Sequence, residues 1–418
     1  MHHFHYKNQE LFCEGISVAE IARKVGTPFY LYSHQTLIDH FRKIKTAFAP
    51  VDPLICFAMK ANGNLAVMRT LIREGAGVDI VSGGELRKAL KAGADPQKIC
   101  YASVGKTESE ITLALKSNIL FFNVESIAEL CEINRIAKKL NKKARVALRL
   151  NPDVNAVTHA AITTGTLKNK FGIDLATAKN ILLSRDRYSN LVINGLHIHI
   201  GSQITTSAPF LRALKKVLIF KRSLDAKGIK VEYLDIGGGM AADYVEGTAQ
   251  PADKIAKALV PLLKKIGLKV IMEPGRFIVA NAGVFVTKVL YLKDNGVKKF
   301  LIVDGAMNDL IRPSLYDSFH EILPVSRSAS KKITVDVVGP VCESGDYLGK
   351  DRKLPALAPG SLIAVLTTGA YGYAMSSNYN ARCRSAEVMV SKNKFSVVKD
   401  REAFVDLVRG EHIPGFIK

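Results

Sequence analysis

The sequence lacks the features that mark membrane proteins and disulfide-stabilised proteins. No apolar run among its 418 residues is long enough to cross a bilayer. The cysteines include no Cys-x-x-Cys pair, so neither a zinc site nor a disulfide framework is indicated. The first residues carry no basic stretch followed by an apolar one, so we expect no secretory signal. These absences predict a cytoplasmic protein with no metal and no membrane association.

Concentrated charge is also missing, although the formal net charge is +21 at pH 7. Lysine and arginine are scattered along helical segments, as at Lys221, Arg222, Lys227 and Lys230, and form no dense block interleaved with aromatic residues. This favours a solvated basic surface, so we expect no nucleic-acid partner. Hydrophobic residues at 48% and charged residues at 23% are ordinary for a globular enzyme.

Short apolar runs alternate with segments of helical periodicity over residues 30–280. The candidate strands are Ile55–Met59, Val78–Val81, Ile99–Ala102, Leu120–Val124, Val146–Leu150, Leu196–Ile200, Tyr233–Ile236 and Val270–Met272. The candidate helices include Leu65–Arg73, Glu85–Ala92, Ser126–Leu140, Ala208–Leu224 and Ala252–Leu263. Eight strand–helix repeats over about 250 residues predict an α/β fold, a closed (β/α)8 barrel of the TIM type. An open doubly wound sheet is the alternative.

The pattern changes after residue 280. The later runs look like strands joined by turns, with few long helices: Val284–Leu292, Phe300–Val303, Ile333–Val338, Leu362–Leu366, Glu387–Val390 and Phe395–Val398. We therefore predict a second, mainly β domain formed by residues 1–29 and 281–418.

In a barrel of this type, functional residues lie at the C-terminal ends of the strands. Lys60 closes the first strand, where an ammonium group is costly to bury. A nucleophilic lysine that reacts with an aldehyde is one interpretation, and a lysine extending to solvent is the other. Asp79 ends the second strand, and Arg149 lies near the end of the fifth.

Two histidines belong to the predicted sixth strand. Alternation would place His197 and His199 on the same face, because side chains in a strand repeat every two residues. Both could contribute to a site, but a hydrogen-bonded core histidine is as good an interpretation of His197.

The loops after the last two strands suggest a phosphate site. Gly237, Gly238 and Gly239 follow one strand, and Glu273-Pro274-Gly275-Arg276 follows the next. Backbone N–H groups in glycine turns approach anions closely, and these two loops form the usual phosphate site of such barrels. Asp235 or Glu273 can pair with a protonated ring nitrogen. An aldehyde, a phosphate and a basic ring nitrogen together indicate pyridoxal 5'-phosphate.

In these motifs the chain resembles the fold type III pyridoxal-phosphate enzymes, specifically the diaminopimelate decarboxylase family. The resemblance covers nearly the whole chain. The motifs are Phe57 to Asn62, Asp79 to Leu86, His197 to Gln203, Asp235 to Gly239, Glu273 to Arg276 and Gly339 to Asp346.

The resemblance implies a role for each matching residue. Lys60 would hold the cofactor covalently, His199 would stack on its ring and Glu273 would contact the ring nitrogen. The remaining cofactor contacts would come from Asp79, Ser202, Gly238, Gly239, Pro274, Gly275, Arg276 and Tyr371. The substrate contacts would be Arg276, Arg312, Tyr316, Glu343 and Tyr371. The family also implies a homodimer with shared active sites, in which the partner subunit donates Cys342.

Chemistry supports three roles among these residues. Cys342 suits the proton donor because a thiol titrates near neutrality, although free cysteine is more often a small buried hydrophobe. Arg312 and Arg276 suit a distal carboxylate, and Glu343 suits a distal ammonium. The resemblance, with these contacts, implies decarboxylation of meso-2,6-diaminopimelate to L-lysine and CO2, the last step of lysine biosynthesis. A decarboxylase of another basic amino acid or of carboxynorspermidine, a racemase and a non-catalytic homologue are the alternatives.

Overall fold

The computed structural model describes residues 2–154 and 170–417. Within those ranges, no helix combines the length and the apolar character needed to span a membrane. The chain divides into two compact units. One unit contains Met1–Thr36 and Val279–Lys418, and the other contains Leu37–Ile278.

The N-terminal segment begins with a small antiparallel sheet. Its strands are β1 (Phe4–Lys7), β2 (Glu10–Cys13) and β3 (Ile16–Ser17). Helix α1 (Val18–Val25), strand β4 (Phe29–Ser33) and helix α2 (His34–Ala47) follow.

The second segment of the chain forms a closed eight-stranded parallel barrel. Its strands are β5 (Leu54–Ala58), β6 (Gly77–Ile80), β7 (Ile99–Tyr101), β8 (Phe121–Val124), β9 (Ala144–Arg149), β10 (Leu191–His197), β11 (Tyr233–Asp235) and β12 (Lys269–Met272). Strand β12 pairs with β5, which closes the barrel and excludes the open doubly wound sheet. The predicted barrel fold is confirmed.

Helices alternate with these strands. They are α3 (Leu65–Arg73), α4 (Gly83–Lys91), α5 (Glu108–Ser117), α6 (Ile127–Lys139), α7 (Leu175–Leu183), α8 (Ala208–Asp225), α9 (Ala252–Ile266) and the short α10 (Arg276–Val279). Local sequence explains where several begin. The Ser82 and Ser126 hydroxyls accept hydrogen bonds from Glu85 and Glu129 backbone N–H groups, and Thr107 begins a capping box. These bonds satisfy N–H groups that have no partner inside the helix.

The C-terminal segment is mainly β, which confirms the second part of the predicted fold class. Its strands are β13 (Gly283–Asp294), β14 (Lys299–Val303), β15 (Ile322–Pro324), β16 (Lys332–Val338), β17 (Tyr347–Pro355), β18 (Leu362–Val365), β19 (Ala386–Ser391) and β20 (Lys394–Lys399). The sheet runs β17-β16-β14-β13-β4-β19-β20, and β18 pairs with both β13 and β15. Two short helices, α11 (Arg312–Tyr316) and α12 (Phe404–Leu407), belong to this segment.

Each unit has its own apolar core. Side chains from β4, β13 and β19, among them Phe29, Val286 and Val388, pack with residues of the N-terminal sheet. Inside the barrel, Cys56, Cys100, Phe121 and Ile271 belong to a second cluster. Burial of these side chains stabilises each unit by roughly 25 cal/mol per Å² of apolar surface removed from water.

Candidate active site at the C-terminal end of the barrel

Lys60 lies directly beyond strand β5, in the tight turn Met59–Ala61. Its Nζ lies 2.9 Å from Asp79 Oδ2. The Asp79 side chain is fully buried, whereas about a third of the Lys60 side chain is exposed, at 34%. Burial raises the pKa of Asp79 to about 7, the nearby Glu273 carboxylate adds to this effect, and Lys60 opposes it. The structure therefore directs the amine of Lys60 at a buried carboxylate, and the interpretation of a lysine simply extending to solvent is wrong.

The two histidines are arranged differently from the prediction. Strand β10 ends at His197, so His199 lies in the following loop and not on the same strand face. Ile198 N–H still donates to the carbonyl of Asp235, the last residue of β11, and the chain then leaves the sheet towards Gly201, whose φ is +152°. His199 Nδ1 accepts a hydrogen bond from Gly238 N–H at 3.2 Å. Loss of hydration, aided by the positive charge of Arg149, lowers the pKa of His199 well below its usual value, so its ring is neutral.

The three glycines after β11 form a turn whose backbone a bound anion can approach closely, because no side chains cover it. Gly237 and Gly239 have φ values of +67° and +99°, which L side chains rarely adopt. A Cβ atom at Gly238 would lie 2.3 Å from the Glu273 carbonyl oxygen. This turn therefore requires glycine, as a loop that holds a phosphate through its backbone does.

Arg276 lies beside this turn, at the start of α10. Its Nε and Nη2 donate to Ser202 Oγ at 3.3 and 3.1 Å, and its Nη1 donates to Tyr244 OH at 2.8 Å. The guanidinium group is buried, with Arg276 only 6% exposed. A buried guanidinium group between two hydroxyls suits an anion such as phosphate or carboxylate. Tyr244 is absent from the prediction because a tyrosine in a loop carries no distinguishing sequence signal.

Gly275 and Pro274 connect β12 to this helix. A Cβ atom at Gly275 would lie 3.1 Å from the Ala58 carbonyl oxygen and from the Ala61 side chain. The Pro274 carbonyl accepts a hydrogen bond from Ala58 N–H at 3.2 Å. These residues therefore hold the last strand against the turn that carries Lys60.

A buried polar cluster lies inside the barrel below this region. We call Asn123, His197, Asp235 and Glu273 the acid cluster; each is at most 3% exposed. Asn123 Nδ2 donates to Glu273 Oε1 at 3.0 Å and lies 3.5 Å from Asp235 Oδ2. His197 Nε2 lies 3.3 Å from Glu273 Oε2. Asn123 is absent from the prediction, although a lone amide in the apolar strand Phe-Phe-Asn-Val was a detectable signal.

The acid cluster also contains the ligand types of a metal site. Atoms of His197, Asp235 and Glu273 lie within 4.8 Å of one another. However, three of the four carboxylate oxygens already face an N–H donor: Gly237 N–H donates to Asp235 Oδ1 at 2.8 Å, and Asn123 Nδ2 lies 3.0 Å from Glu273 Oε1 and 3.5 Å from Asp235 Oδ2. The fourth, Glu273 Oε2, lies 3.3 Å from His197 Nε2. This arrangement fits a hydrogen-bonded acid pair better than a cation site.

Arg149 and its neighbours form a separate ionic network. Arg149 Nη1 donates to Glu125 Oε1 at 2.7 Å, and Lys106 Nζ donates to Glu129 Oε1 at 2.5 Å. Glu129 also accepts from Glu125 N–H at 2.8 Å. The charge of Arg149, unusual in an apolar strand, is therefore balanced within the barrel.

The predicted substrate residues Arg312 and Tyr316 lie in the other unit, on α11. Arg312 is buried at 5% exposure, and its guanidinium carbon lies 5.6 Å from the centre of the Tyr316 ring. Its Nη2 donates to Ser318 Oγ at 3.1 Å. Proline at the second position suits the first turn of this helix, and Asp317, in the αL conformation after Tyr316, ends it after five residues.

Cys342, Glu343 and Tyr371 belong to the same unit as Arg312. Cys342 and Glu343 are exposed in the single chain, so the interpretation of Cys342 as a small buried hydrophobe is wrong. Tyr371 has φ +57°, a conformation that is uncommon outside glycine and often found at functional sites. The flanking Gly369 and Gly372 have no room for a side chain, since a Cβ atom would lie 1.9 Å and 2.3 Å from carbonyl oxygens.

The barrel residues fit pyridoxal phosphate group by group. Lys60 offers an amine to the aldehyde, and the glycine turn with Arg276 offers donors to the phosphate. Glu273 offers a buried carboxylate to the ring nitrogen.

Comparisons with known proteins agree with this fit. Residues 34–280 match the family "Pyridoxal-dependent decarboxylase, pyridoxal binding domain". The chain is 48% identical to the diaminopimelate decarboxylase of Aquifex aeolicus over 400 residues, which covers 96% of this chain and 95% of the relative.

Two solved structures are also similar. The diaminopimelate decarboxylase of Helicobacter pylori complexed with L-lysine has a TM-score of 0.90 and 42% identity, covering 94% of this chain and 98% of the other. The enzyme of M. jannaschii in co-complex with L-lysine has a TM-score of 0.95 and 35% identity, covering 99% of both chains. The resemblance drawn from the motifs is confirmed: the chain belongs to the diaminopimelate decarboxylase family of pyridoxal-dependent decarboxylases.

Proposed function

We propose that this protein uses pyridoxal phosphate to decarboxylate meso-2,6-diaminopimelate, which releases CO2 and leaves L-lysine. One observation carries the proposal. The lysine amine, the glycine turn with its buried arginine, and the buried Glu273 carboxylate all lie at the C-terminal end of one barrel. These are the three groups that pyridoxal phosphate requires. The choice of substrate follows from membership of the diaminopimelate decarboxylase family.

Each barrel residue at this site has a separate role in binding the cofactor. Lys60 supplies the amine that attaches the cofactor, and Asp79 holds that amine beforehand. Gly238, Gly239, Ser202 and Arg276 bind the phosphate. The neutral ring of His199 would pack against the cofactor ring. When bound, pyridoxal phosphate supplies a conjugated ring that stabilises the electron pair left by CO2.

The residues that recognise the substrate, and the residue that protonates the carbon after CO2 has left, belong to the mainly β unit. Arg312 holds the distal carboxylate, because a guanidinium group binds a carboxylate through two parallel hydrogen bonds. Tyr316, Tyr371 and Glu343 complete the substrate contacts, and Glu343 accepts from the distal ammonium. Cys342 donates a proton to the carbon that has lost CO2.

We propose a homodimer in which Cys342 reaches the barrel of the partner subunit. The exposure of Cys342 and Glu343 in the single chain supports this arrangement. The C-terminal segment also exposes large apolar side chains, including Phe404 at 74% and Phe416 at 89%. Exposed apolar side chains of this size are typical of association surfaces. On this proposal, residues 30–280 bind the cofactor, and residues 1–29 with 281–418 complete the active site and the dimer interface.

We also propose a cytoplasmic location. All six cysteines are free thiols, and Cys56 and Cys100 share a hydrogen bond rather than a disulfide, with their sulfurs 3.9 Å apart. Free thiols suit a reducing compartment. Cell fractionation beside a cytoplasmic marker enzyme tests this location.

A substrate panel tests the proposed reaction. The purified protein with pyridoxal phosphate is incubated with meso-diaminopimelate, ornithine, arginine, lysine or carboxynorspermidine, and both CO2 and the amine product are measured. We expect CO2 and L-lysine from meso-diaminopimelate, with roughly 10⁴-fold lower turnover of substrates that lack the distal carboxylate. Efficient ornithine turnover would contradict the substrate assignment, and epimerised substrate without CO2 would indicate a racemase.

A further inference from the structure

The acid cluster contains two carboxyl groups that cannot both be ionised. Asp235 and Glu273 are 2% and 3% exposed, and their ligand atoms lie within 4.8 Å of each other and of the imidazole of His197. Two buried carboxylates this close repel each other and lose their hydration, so one retains its proton. The cluster must therefore contain one carboxylate and one neutral carboxyl group.

The donors around the two groups differ in a way that selects the anion. Glu273 Oε1 accepts a hydrogen bond from Asn123 Nδ2 at 3.0 Å, and Oε2 lies 3.3 Å from His197 Nε2, a close contact of the imidazole without the geometry of a hydrogen bond. Asp235 Oδ1 accepts from Gly237 N–H at 2.8 Å, but Oδ2 has only the 3.5 Å contact with Asn123. The longest contact of the cluster is thus at Asp235 Oδ2, where a bound proton would make the oxygen a poorer acceptor.

The electrostatics of the pair agree with this geometry. Burial, reinforced by the charge of Glu273, raises the pKa of Asp235 well above its usual value. Burial alone would also raise the pKa of Glu273, but His197 and then Lys60 outweigh it and lower that pKa below its usual value. The other titratable groups that act on the pair are Asp79 on β6, Cys56 on β5, Cys100 on β7 and His199 in the loop after β10.

We propose that His197 is a positioning residue whose imidazole, held beside Glu273 Oε2, keeps Glu273 as the anion and leaves the proton of the pair on Asp235. This inference rests on the proposed function, because it concerns the carboxylate that meets the ring nitrogen of pyridoxal phosphate. Glu273 then presents a full negative charge to that nitrogen and keeps it protonated. Asp235 acts as a neutral hydrogen-bonding neighbour.

The test measures the ring nitrogen itself. Apoprotein is loaded with pyridoxal phosphate labelled with ¹⁵N in the ring, and the ¹⁵N chemical shift is followed against pH. We expect the wild type and Asp235→Asn to show a protonated nitrogen, because asparagine imitates a neutral aspartic acid. Glu273→Gln should show an unprotonated nitrogen.

The His197 variants decide the proposal. His197→Phe should lower the pH at which the nitrogen loses its proton by about one unit, a tenfold loss of proton affinity. His197→Gln retains an N–H donor and should recover part of that loss. His320→Gln, which replaces a histidine of similar burial in the other unit, should leave the midpoint unchanged and controls for the loss of a buried ring. The melting temperature of each variant reports its folding.

The possible failures can be distinguished. A His197→Phe protein with the wild-type midpoint would overturn the proposal, and so would an unprotonated nitrogen in Asp235→Asn. In both cases the wild-type protein would still bind the cofactor and the proposed function would stand. A wild-type protein that takes up no pyridoxal phosphate would overturn the proposed function itself.

Discussion

Lys60 and Asp79 form an ion pair between two neighbouring strands of the barrel, with 2.9 Å between Nζ and Oδ2. The Oδ1 atom of Asp79 is buried without a hydrogen-bond partner among the described residues. A carboxylate with one unsatisfied oxygen is costly to keep ionised. The pair therefore positions the amine before the cofactor arrives, while leaving Asp79 ready to accept a proton.

Replacing Lys60 should abolish covalent attachment of the cofactor. Lys60→Ala removes the amine that faces Asp79, so pyridoxal phosphate should bind without the visible absorption band of the attached cofactor. Borohydride reduction of the wild type, followed by peptide mass spectrometry, should place the cofactor on Lys60. Lys88→Ala, an exposed lysine of the same unit, is the control and should bind cofactor normally. Labelling of another lysine would contradict the assignment.

Adding one methyl group to the glycine turn should weaken cofactor binding. The Cβ atom of Gly238→Ala would lie 2.3 Å from the Glu273 carbonyl, so the backbone must shift. We expect the affinity for pyridoxal phosphate to fall by roughly tenfold or more, equivalent to about 1.4 kcal/mol. Absorbance titration of the apoprotein measures it. Gly105→Ala is the matched control because a Cβ atom there meets nothing within 4 Å. Equal affinities for the two variants would argue against a tight turn.

Removing the buried guanidinium group of Arg312 should impair catalysis on diaminopimelate. Arg312→Ala leaves the distal carboxylate without its charged partner, which typically costs about 2–5 kcal/mol in kcat/KM. Arg312→Lys should recover only part of the loss, because an ammonium group cannot donate two parallel hydrogen bonds. Arg409→Ala, at an exposed arginine of the same unit, should leave kcat/KM unchanged. An unchanged kcat/KM in Arg312→Ala would rule out this contact.

The stability of the apoprotein should depend on Asp79 in a defined pH window. The pKa of Asp79 is about 7 in the folded state against an ordinary value of 3.8, so the folded state holds a proton that the unfolded state releases. The resulting stability is complete below about pH 4 and is lost as the pH rises to about 7, by at most about 1.4 kcal/mol per pH unit. Asp79→Asn cannot titrate. Its melting temperature should therefore rise relative to the wild type from pH 5 to pH 8, and a constant difference would contradict the prediction.

Shared active sites should allow two inactive variants to complement each other. Lys60→Ala and Cys342→Ala each lack one essential group, but a hybrid dimer contains one site with both groups intact. If subunits mix randomly, half of the dimers are hybrids, and about a quarter of the wild-type activity should return. Mass spectrometry of the intact dimers confirms that hybrids form. Hybrids that form and remain inactive would show that Cys342 acts within its own subunit.

Several helices and strands were predictable because their sequence patterns lie within the element itself. Helix α3 matches its predicted range, Leu65–Arg73, since apolar residues recur there at helical spacing and Asn64 caps its start. Strands β5 and β12 lie within a residue or two of their predicted bounds because buried parallel strands consist of continuous apolar runs. The short strand β15 was missed because its three residues, Ile322–Pro324, are too few to show a pattern.

The histidines show where local reasoning failed. Alternation assumes that a strand continues, but β10 stops at His197 because its neighbour β11 stops at Asp235. The end of a strand in a closed barrel depends on its partners. No periodicity within the run Leu-His-Ile-His-Ile contains that information.

The sequence by itself determined the strand–helix repeats, the mainly β segment that follows them, the family and the position of Lys60, Gly238 and Arg276 at strand ends. These properties depend on periodicity and order along the chain, which can be read without knowing any contact. The tertiary structure alone decided that the sheet closes and which polar side chains meet inside it. Asn123 and Glu273 are 150 residues apart, yet they share a hydrogen bond because the barrel closes. That closure also buries both carboxyl groups of the acid cluster. Burial raises the pKa of Asp235, whereas the neighbouring His197 and Lys60 outweigh burial and lower the pKa of Glu273.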